Sequence, residues 1–440
     1  MPEIVVLPAD GGQVSAVVQL AGRENIPVVP RGSGTGLAGG AVPAEGGILL
    51  SLARLNRILA IDLKNRIAIV EPGVINLELT QAVAGDGYFY APDPSSQAAC
   101  SVGGNVANNS GGPHTLAYGV TTNHVLGVEV VLSSGEIVWL GGVVPDSPGY
   151  DLCGIFVGSE GTLGIVTKAV VRLMRARETV GTLLAVFTDL EPAIRTVVDI
   201  TAAGIIPAAL EMMDHQTIEA VESGAPVGYP RDAAAVLLVE VEGVREYSER
   251  SLSLLRGICS ANGAREVRIA QSEAERQLLW KGRKGAFGAM GAVAPNYYVQ
   301  DGVVPRSRLP EIMRFVGEVS ERFGIKIANV FHAGDGNLHP NILFDLRKPG
   351  ELERVIEASA EILRACVELG GSITGEHGIG LEKKAYIGLL FTTEDLEAMQ
   401  RVRRAFDPYS RFNPAKLFPT PSGCGEIRGQ QARLPAGLWI

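Results

Sequence analysis

Residues 30–40 read PRGSGTGLAGG, a segment so rich in glycine that it decides which fold the rest of the chain can adopt. Gly34, Gly36 and Gly39 reproduce the GxGxxG spacing of dinucleotide-binding Rossmann turns. A Rossmann turn needs a helix directly after the glycines, because the phosphate lies at the N-terminus of that helix. Here the chain continues as AVPAEGG and then as a strand-like run, which disfavours a Rossmann domain.

Two more glycine-rich segments lie in the same part of the chain, PDPSSQAACSVGGNVANNSGG at 92–112 and GSEGTLGI at 158–165. Glycine lets backbone N–H groups approach phosphate oxygens, because no Cβ stands in the way. Neutral hydrogen-bonding side chains accompany the glycines, namely Ser33, Thr35, Ser101, Asn105 and Asn108. The three segments indicate a long ligand with a pyrophosphate in its middle, and a set of ordinary surface turns is the alternative interpretation.

The pattern of the chain changes near residue 176. Before it, short β-like runs such as GGILLSL and RIAIVEPG alternate with glycine, and SSGE at 133–136 predicts a hairpin. After it, strand-like runs alternate with helical ones, including helices predicted over about 308–323 and 351–369, which indicates a sheet covered by helices on one face. We therefore predict an α+β chain whose domains span 1–176 and 177–420, followed by an irregular tail at 421–440.

Composition argues against several classes of protein. The net charge of −9 disfavours a nucleic-acid partner. Apolar runs stay well short of the ~20 residues that span a bilayer, and Glu3 and Asp10 interrupt the only apolar stretch that could open a signal peptide. The five cysteines show no CxxC spacing, so we expect neither an iron–sulfur cluster nor a zinc ribbon on this chain, and a reducing cytoplasm suits such thiols.

Histidine is scarce, with 6 in 440 residues, yet two stand close together in NVFHAGDGNLHPNI at 329–342. Imidazole is a common ligand of divalent transition metals, and GEHGIG at 375–380 supplies Glu376 and His377 on a second glycine-flanked turn. Two histidines and one carboxylate leave coordination positions for a substrate hydroxyl and carboxylate. The alternative is that one histidine of the pair simply satisfies a buried carbonyl.

These segments resemble a known family. The three glycine-rich segments are similar to the flavin-binding segments of the FAD-linked oxidases, which are built on the vanillyl-alcohol-oxidase type (PCMH-type) flavin domain. The likeness spans about residues 4–420 and continues through GIIPAALEMMD (204–214), WKGRKGAF (280–287), VFHAGDGNLHP (330–340), GSITGEHGIG (371–380) and FDPYSRFNPAKLFP (406–419). Within the family, the sequence is most similar to the FAD-binding catalytic subunits of bacterial glycolate oxidases, with D-lactate and D-2-hydroxyglutarate dehydrogenases more distant.

The resemblance implies a PCMH-type FAD-binding domain of two α/β subdomains, followed by a ferredoxin-like α/β substrate domain with a C-terminal helical segment. Thr35 stands where some members of the superfamily attach flavin to a histidine, so non-covalent FAD is expected. Family members usually carry a further segment before the strand that begins here near Ile4. The residues expected to contact FAD are Arg31, Gly32, Ser33, Gly34, Thr35, Gly36, Pro92, Ser101, Gly104, Asn108, Gly111, Glu160, Gly161, Gly164, Ile165 and Asn413.

The resemblance also implies the chemistry: oxidation of a small D-2-hydroxy acid, glycolate or D-lactate, to the 2-oxo acid by hydride transfer to flavin N5. It assigns a divalent metal ion (zinc, manganese or iron) to His332, His339 and Glu376, and the general base to His377. Arg283 is expected to bind the substrate carboxylate, with an exposed helix charge as the alternative, and Asn337 to contact the substrate. Some relatives add a lysine near the position of Val299, and its absence here favours a small monocarboxylate.

Partners are implied as well: a second flavoprotein-like subunit and an iron–sulfur subunit that receive the electrons. The expected location is the cytoplasm, with peripheral attachment to the inner membrane through those subunits. Two other interpretations stay open, a non-catalytic flavin-fold subunit and a nicotinamide-dependent dehydrogenase. The retained set of Arg283 and the histidines argues against the first, and the missing helix after Gly40 against the second.

Overall fold

The computed structural model describes residues 1–145 and 148–419, so the predicted tail at 421–440 lies outside the described residues. The chain forms two compact units. Of the described residues, the first contains Met1–Gly112, Gly119–Ala176 and residues 376–419; the second contains Pro113–Tyr118 and Arg177–Gly375. One junction thus lies between residues 176 and 177, whereas segments 113–118 and 376–419 are allocated differently from the sequence-based division into domains.

Short strands joined by glycine-rich loops dominate the first 176 residues. The strands are β1 (Ile4–Val6), β2 (Val28–Arg31), β3 (Ile48–Ser51), β4 (Ile58–Asp62), β5 (Ile67–Val70), β6 (Tyr88–Phe89), β7 (Val125–Val131), β8 (Ile137–Gly141), β9 (Ile165–Arg172) and β10 (Met174–Arg175). The helices are α1 (Gly11–Glu24), α2 (Asn76–Ala84), α3 (Val102–Asn108), α4 (Thr115–Tyr118) and α5 (Leu152–Phe156), of which α4 belongs to the second unit.

The first unit contains a parallel sheet in the order β1-β3-β2 and an antiparallel sheet in the order β4-β5-β9-β7-β8. Helix α1 begins where the Asp10 side chain accepts a hydrogen bond from the Gln13 N–H, as its sequence predicts. Val14, Val18 and Ala21 recur at helical spacing and are buried against strand residues of the same core. The predicted hairpin at SSGE is confirmed, because β7 and β8 pair on either side of it.

The second unit is built on one antiparallel sheet of seven strands, in the order β14-β11-β13-β12-β17-β19-β15. Its strands are β11 (Thr179–Phe187), β12 (Ala209–Asp214), β13 (Ala235–Gly243), β14 (Glu266–Ile269), β15 (Asn296–Val299), β17 (Lys326–Phe331) and β19 (Pro340–Phe344), with a separate pair β16 (Gly302–Val303) and β18 (Asn337–Leu338). The helices are α6 (Leu190–Ala202), α7 (His215–Gly224), α8 (Arg245–Ala261), α9 (Glu273–Ala289), α10 (Leu309–Phe323) and α11 (Glu351–Glu368), and α12 (Thr393–Phe406) follows in the first unit.

Helices cover both faces of this sheet, so the prediction of one covered face is wrong. Leu183 and Leu237 face a core shared with α6, α8, α10 and α11, whereas the adjacent Leu184 and Leu238 face a core shared with α7 and α9. Neighbouring strand residues point to opposite faces, so a strand buried on both sides reads as a continuous apolar run. The run AAAVLLV at 233–239 is that signal.

Among the described residues, no helix combines the length and hydrophobicity needed to cross a membrane.

Candidate functional site

The three glycine-rich segments meet in the first unit. The N–H of Ser33 donates to Ser101 Oγ over 3.3 Å, which joins the first segment to the second. The N–H groups of Gly158 and Glu160 donate to the carbonyl oxygens of Val106 and Ala107, each over 2.8 Å, which joins the third segment to the second. A Cβ on Gly32 would clash with Ser101 Oγ, so this approach of the first segment requires glycine. The segments thus form one backbone-lined surface.

The C-terminal segment returns to these loops within the first unit. Asn413 Nδ2 donates to the carbonyl oxygens of Gly40 (2.9 Å) and Glu160 (2.7 Å), and its Oδ1 accepts from Lys416 Nζ (3.0 Å). Asn413 is buried. One side chain therefore bonds to the backbone of two of the three glycine-rich segments.

The turn that carries Glu376 and His377 is anchored to the same loops. Asn108 Nδ2 donates to the His377 carbonyl oxygen over 2.9 Å. The Glu160 carboxylate accepts from the N–H groups of Ile379 (2.7 Å) and Gly380 (2.8 Å). Burial raises the pKa of Glu160 to about 7, against the lowering effect of those two donors. Glu160, predicted as a flavin contact, bonds through its side chain to the backbone of this turn.

A buried charged cluster forms the centre of the second unit. Arg283, on α9, contacts the carboxylate of Glu211, on β12, through Nε (2.7 Å) and Nη2 (2.5 Å), and both side chains are fully buried. The interpretation of Arg283 as an exposed helix charge is therefore wrong. Burial alone would raise the pKa of Glu211, but Arg283 and His332 outweigh burial and hold that pKa below its ordinary value. The remaining nitrogen, Nη1 of Arg283, is buried without a hydrogen-bond partner among the described residues.

Glu211 also fixes the orientation of His332. Both carboxylate oxygens lie 2.9 Å from His332 Nδ1, and a carboxylate only accepts, so Nδ1 carries the proton. The Nε2 atom then keeps a lone pair. Because both Nδ1 and Arg283 Nη2 are donors, the 3.4 Å between them is a contact rather than a hydrogen bond. Histidines that bind metals usually donate their other ring N–H to a carboxylate or carbonyl in this way.

His339 lies beside His332 in the same unit. The two rings meet edge to face with centroids 5.2 Å apart, and ring nitrogens of the pair lie within 4.8 Å of each other. His339 Nδ1 lies 3.3 Å from the backbone carbonyl of Gln300, which again directs the Nε2 lone pair away from the anchor. A carboxylate oxygen of Asp301 lies within 4.8 Å of a ring nitrogen of His339. The contact with a carbonyl oxygen does not exclude a metal ligand, because a ring that satisfies a carbonyl through Nδ1 can still bind a metal through Nε2.

The loop between the two histidines presents Asn337. The His332 N–H donates to the Asn337 carbonyl oxygen over 3.1 Å, and the Asn337 side-chain oxygen is buried without a hydrogen-bond partner among the described residues. A Cβ on Gly375 would come within 2.6 Å of the Asn337 side chain, so glycine is needed there. Asp301 accepts from the Thr374 hydroxyl and from the Gly375 N–H, which holds the segment just before Glu376.

Of the predicted site residues, Arg283, His332, His339 and Asn337 lie in one unit, whereas Glu376 and His377 belong to the other unit. Two fully buried residues of the second unit, Glu211 and Asp301, were not predicted as site residues. Each had a signal in the sequence. Glu211 interrupts the apolar run AALEMMD, and Asp301 lies two residues after the end of β15. A buried charge is retained only where a partner compensates for it.

These residues fit the groups that the resemblance implies. The first unit brings the three glycine-rich segments together, with no room for a Cβ between Gly32 and Ser101, and glycine-rich backbone of this kind offers N–H groups to a pyrophosphate. The second unit offers two imidazoles with Nε2 lone pairs, a donor set suited to a divalent transition metal. Arg283 Nη1 and Asn337 Oδ1, which find no hydrogen-bond partner in the part of the chain that the structure describes, are groups that a polar ligand can satisfy.

Comparison with known proteins agrees with this geometry. Residues 2–141 match the family described as FAD binding domain, and residues 176–417 match that described as FAD linked oxidases, C-terminal domain. The chain is 48% identical to glycolate oxidase subunit GlcD of Escherichia coli K12, over 97% of this chain and 85% of that protein. It is 36% identical to D-lactate dehydrogenase of Archaeoglobus fulgidus, over 94% of this chain and 91% of that protein.

The fold is likewise similar to that of solved structures. A crystal structure of p-cresol methylhydroxylase with substrate bound matches with a TM-score of 0.78, over 94% of this chain and 88% of that chain, at 18% identity. This likeness concerns the fold alone. Both parts of the sequence match family descriptions, and the GlcD identity extends over nearly all of it. The chain belongs to the FAD-linked oxidases.

Proposed function

We propose that the protein oxidises a small D-2-hydroxy acid, glycolate or D-lactate, to the corresponding 2-oxo acid. The observation that carries this proposal is the buried cluster of Arg283, Glu211, His332 and His339 in an FAD-linked oxidase. A protein that merely scaffolds a complex has no use for such a cluster, because burying charges without a compensating function is costly. The names of the similar proteins, a glycolate oxidase subunit and a D-lactate dehydrogenase, support the same substrate class.

Arg283 would recognise the substrate carboxylate through Nη1, since its Nε and Nη2 are already used on Glu211. Glu211 balances the charge of Arg283, so a further positive charge is needed to hold an anionic substrate here. His332, His339 and Glu376 would supply it by holding a divalent metal ion, which lowers the pKa of a bound hydroxyl when present. Asn337 would orient the substrate through its side-chain oxygen.

The oxidation removes two electrons and two hydrogens from the substrate. His377 would accept the hydroxyl proton as the general base, while the Cα–H bond breaks and the carbonyl forms. The three glycine-rich segments would hold FAD, which would supply the acceptor for the hydride. Electrons then leave to partner subunits, a proposal supported by the word subunit in the name of the GlcD relatives.

The test is anaerobic mixing of the flavin-loaded protein with glycolate, D-lactate, L-lactate or D-2-hydroxyglutarate while the flavin absorbance is followed. We expect glycolate or D-lactate to bleach the flavin band, and L-lactate and the larger diacid to bleach it more slowly. Protein that binds FAD and keeps its colour with every acid would contradict the proposal. Protein that binds no added FAD would support the alternative of a non-catalytic flavin-fold subunit.

A further inference from the structure

The short segment Pro113–Tyr118 is separated from its sequence neighbours in the fold. Gly112 and Gly119, on either side, belong to the first unit, whereas the six residues between them belong to the second. Helix α4 lies in this segment and contacts β12, the strand that carries Glu211. The chain thus enters the second unit here for a few residues only, beside the buried cluster.

His114 is held by two contacts in the second unit. Its ring stacks on Trp280, with centroids 5.7 Å apart and planes at 28°. Its Nε2 atom lies 3.2 Å from Glu240 Oε1, so Nε2 carries a proton that the carboxylate accepts. Trp280 Nε1 donates to the other oxygen of the same carboxylate over 2.6 Å. Burial opposes ionisation of Glu240, but His114 and Arg276 outweigh it and lower the pKa of this carboxyl to about 2.

This triad of His114, Glu240 and Trp280 is connected through α9 to Arg283, the residue proposed to bind the substrate carboxylate. Trp280 and Arg283 are three residues apart on that helix, so their side chains leave neighbouring positions on its surface. Fixing the Trp280 ring therefore limits the rotation of α9 about its axis. A small rotation would displace the Arg283 guanidinium, which lies at the end of a long side chain.

Leu116, in the same segment, contacts the loop between the two histidines. A Cβ built on Gly334 would come 2.5 Å from Leu116 Cδ2, so the leucine packs directly against the backbone of this loop. The Gly334 N–H donates to the Leu210 carbonyl oxygen over 2.9 Å. The loop from His332 to Asn337 is thus packed between Leu116 and the strand that carries Glu211.

We infer that segment 113–118 positions the substrate site, which assumes the function proposed above. His114 sets the orientation of Arg283 through Trp280, and Leu116 sets the loop that carries His332 and Asn337. These are positioning residues, because they act through Trp280 and Gly334. The two contacts have different effects: the contact of His114 with Trp280 controls capture of the carboxylate, and the contact of Leu116 with Gly334 controls metal binding.

The experiment uses the flavin-loaded full chain and the variants His114→Leu and Leu116→Ala. For His114→Leu we expect the D-lactate concentration that gives half-maximal bleaching to rise about tenfold, with the limiting rate within about twofold, because carboxylate capture alone is disturbed. For Leu116→Ala we expect the affinity for Zn²⁺, measured by calorimetry on metal-stripped protein, to fall about tenfold, as when an outer partner of a metal ligand is lost.

Controls separate positioning from loss of stability. His215→Leu and Leu254→Ala change exposed residues of the same types in the second unit and should leave both readouts unchanged. His114→Gln and Leu116→Met are milder variants for use if the first pair fails to fold, and they should shift the same readouts in the same directions. Variants that lower only the melting temperature, or that shift both readouts alike, would overturn the inference.

The same experiment distinguishes failure of the inference from failure of the proposed function. If wild-type protein binds FAD but is not bleached by any acid, the proposed function fails, while the Zn²⁺ measurement on Leu116→Ala still tests the loop contact. If wild-type protein is bleached and the variants behave like it, only the positioning role fails.

Discussion

Two loops of this protein carry the histidines proposed for the site, and these loops are held in different ways. In the second unit, His332 is 3% exposed and both oxygens of Glu211 lie 2.9 Å from its Nδ1 atom. In the first unit, the turn of His377 is held through its backbone: Asn108 donates to the carbonyl oxygen of His377, and Glu160 accepts from the N–H groups of Ile379 and Gly380. One loop is anchored through the imidazole itself, and the other through the main chain.

The difference corresponds to the two roles proposed for the rings. A metal ligand needs its lone pair at all times, and a carboxylate on Nδ1 fixes the tautomer that provides it. A general base must gain and lose a proton in each turnover. The Glu160 carboxylate bonds to the backbone of the turn rather than to the His377 imidazole, so Glu160 does not fix the protonation state of that ring.

Replacing His377 tests the base and should have the largest effect. We expect His377→Ala to slow flavin bleaching by D-lactate by about a thousandfold, within the range that general bases contribute. FAD should stay bound, because Asn108 bonds to the backbone carbonyl of residue 377, which alanine retains. The measurement is anaerobic stopped-flow absorbance, with the flavin content determined on the same sample.

His215→Ala is the matched control, since this exposed histidine opens α7 in the other unit. Bleaching by His377→Ala at the wild-type rate would remove His377 as the base and leave the backbone-anchored turn without its proposed role.

Replacing Glu211 tests the other side of the comparison. Glu211→Gln keeps the size of the side chain but removes the charge that orients His332 and balances Arg283. We expect the affinity for Zn²⁺ to fall between about tenfold and a hundredfold, as measured by competition with a chelator. The melting temperature should fall too, because Arg283 is then buried without its counter-charge.

Glu222→Gln provides the control for Glu211. Glu222 is also a buried glutamate of the second unit, and one of its oxygens accepts from three backbone N–H groups, which a glutamine oxygen can replace. Unchanged Zn²⁺ affinity in Glu211→Gln would show that His332 is not oriented for a metal by this carboxylate.

The sequence predicts the residues of the two loops better than the groups that anchor them. The glycine-rich segments and the histidine-bearing loops stand out because such residues in such spacing are unusual, and helices at about 308–323 and 351–369 are confirmed at Leu309–Phe323 and Glu351–Glu368. Local patterns of this kind involve residues that are close together in the sequence, so they can be recognised without knowledge of the fold.

The anchors of the histidines could not be read in that way. Glu211 lies 121 residues from His332, and Asn108 lies 269 residues from His377, and these pairs meet only through the sheet and loop arrangement. The allocation of segment 113–118 to the second unit is of the same kind, because nothing in GGPHTLAYG marks a change of unit. Long-range pairing of polar groups is decided by topology, and the sequence shows only that a buried charge needs some partner.

Backbone anchoring of the His377 turn can be disturbed at the next residue. Gly378 has φ of +87°, and a Cβ there would lie 2.7 Å from Glu160 Oε1 and 3.1 Å from Asn108 Nδ2, the two side chains that hold the turn. We expect Gly378→Ala to lower the free energy of unfolding by about 2 kcal/mol and to slow bleaching, since the strained residue displaces both anchors. Gly257→Ala is the control, because this glycine lies inside α8 with open space around its Cβ position. Equal stability of Gly378→Ala and wild type would mean that the turn is not held as described.

The C-terminal segment of the first unit carries the same kind of backbone anchoring, but with alanine at a position that favours glycine. Ala415 has φ of +64°, where a Cβ costs about 1 kcal/mol. We expect Ala415→Gly to raise the free energy of unfolding by up to that amount in urea titrations, because the relief of strain exceeds the entropy lost by glycine. Ala398→Gly, on the exposed face of α12 in the same unit, should instead lower it by about 1 kcal/mol, because glycine weakens a helix interior. Opposite signs for the two Ala→Gly substitutions would show that residue 415 is held in a strained backbone conformation, and equal signs would contradict it.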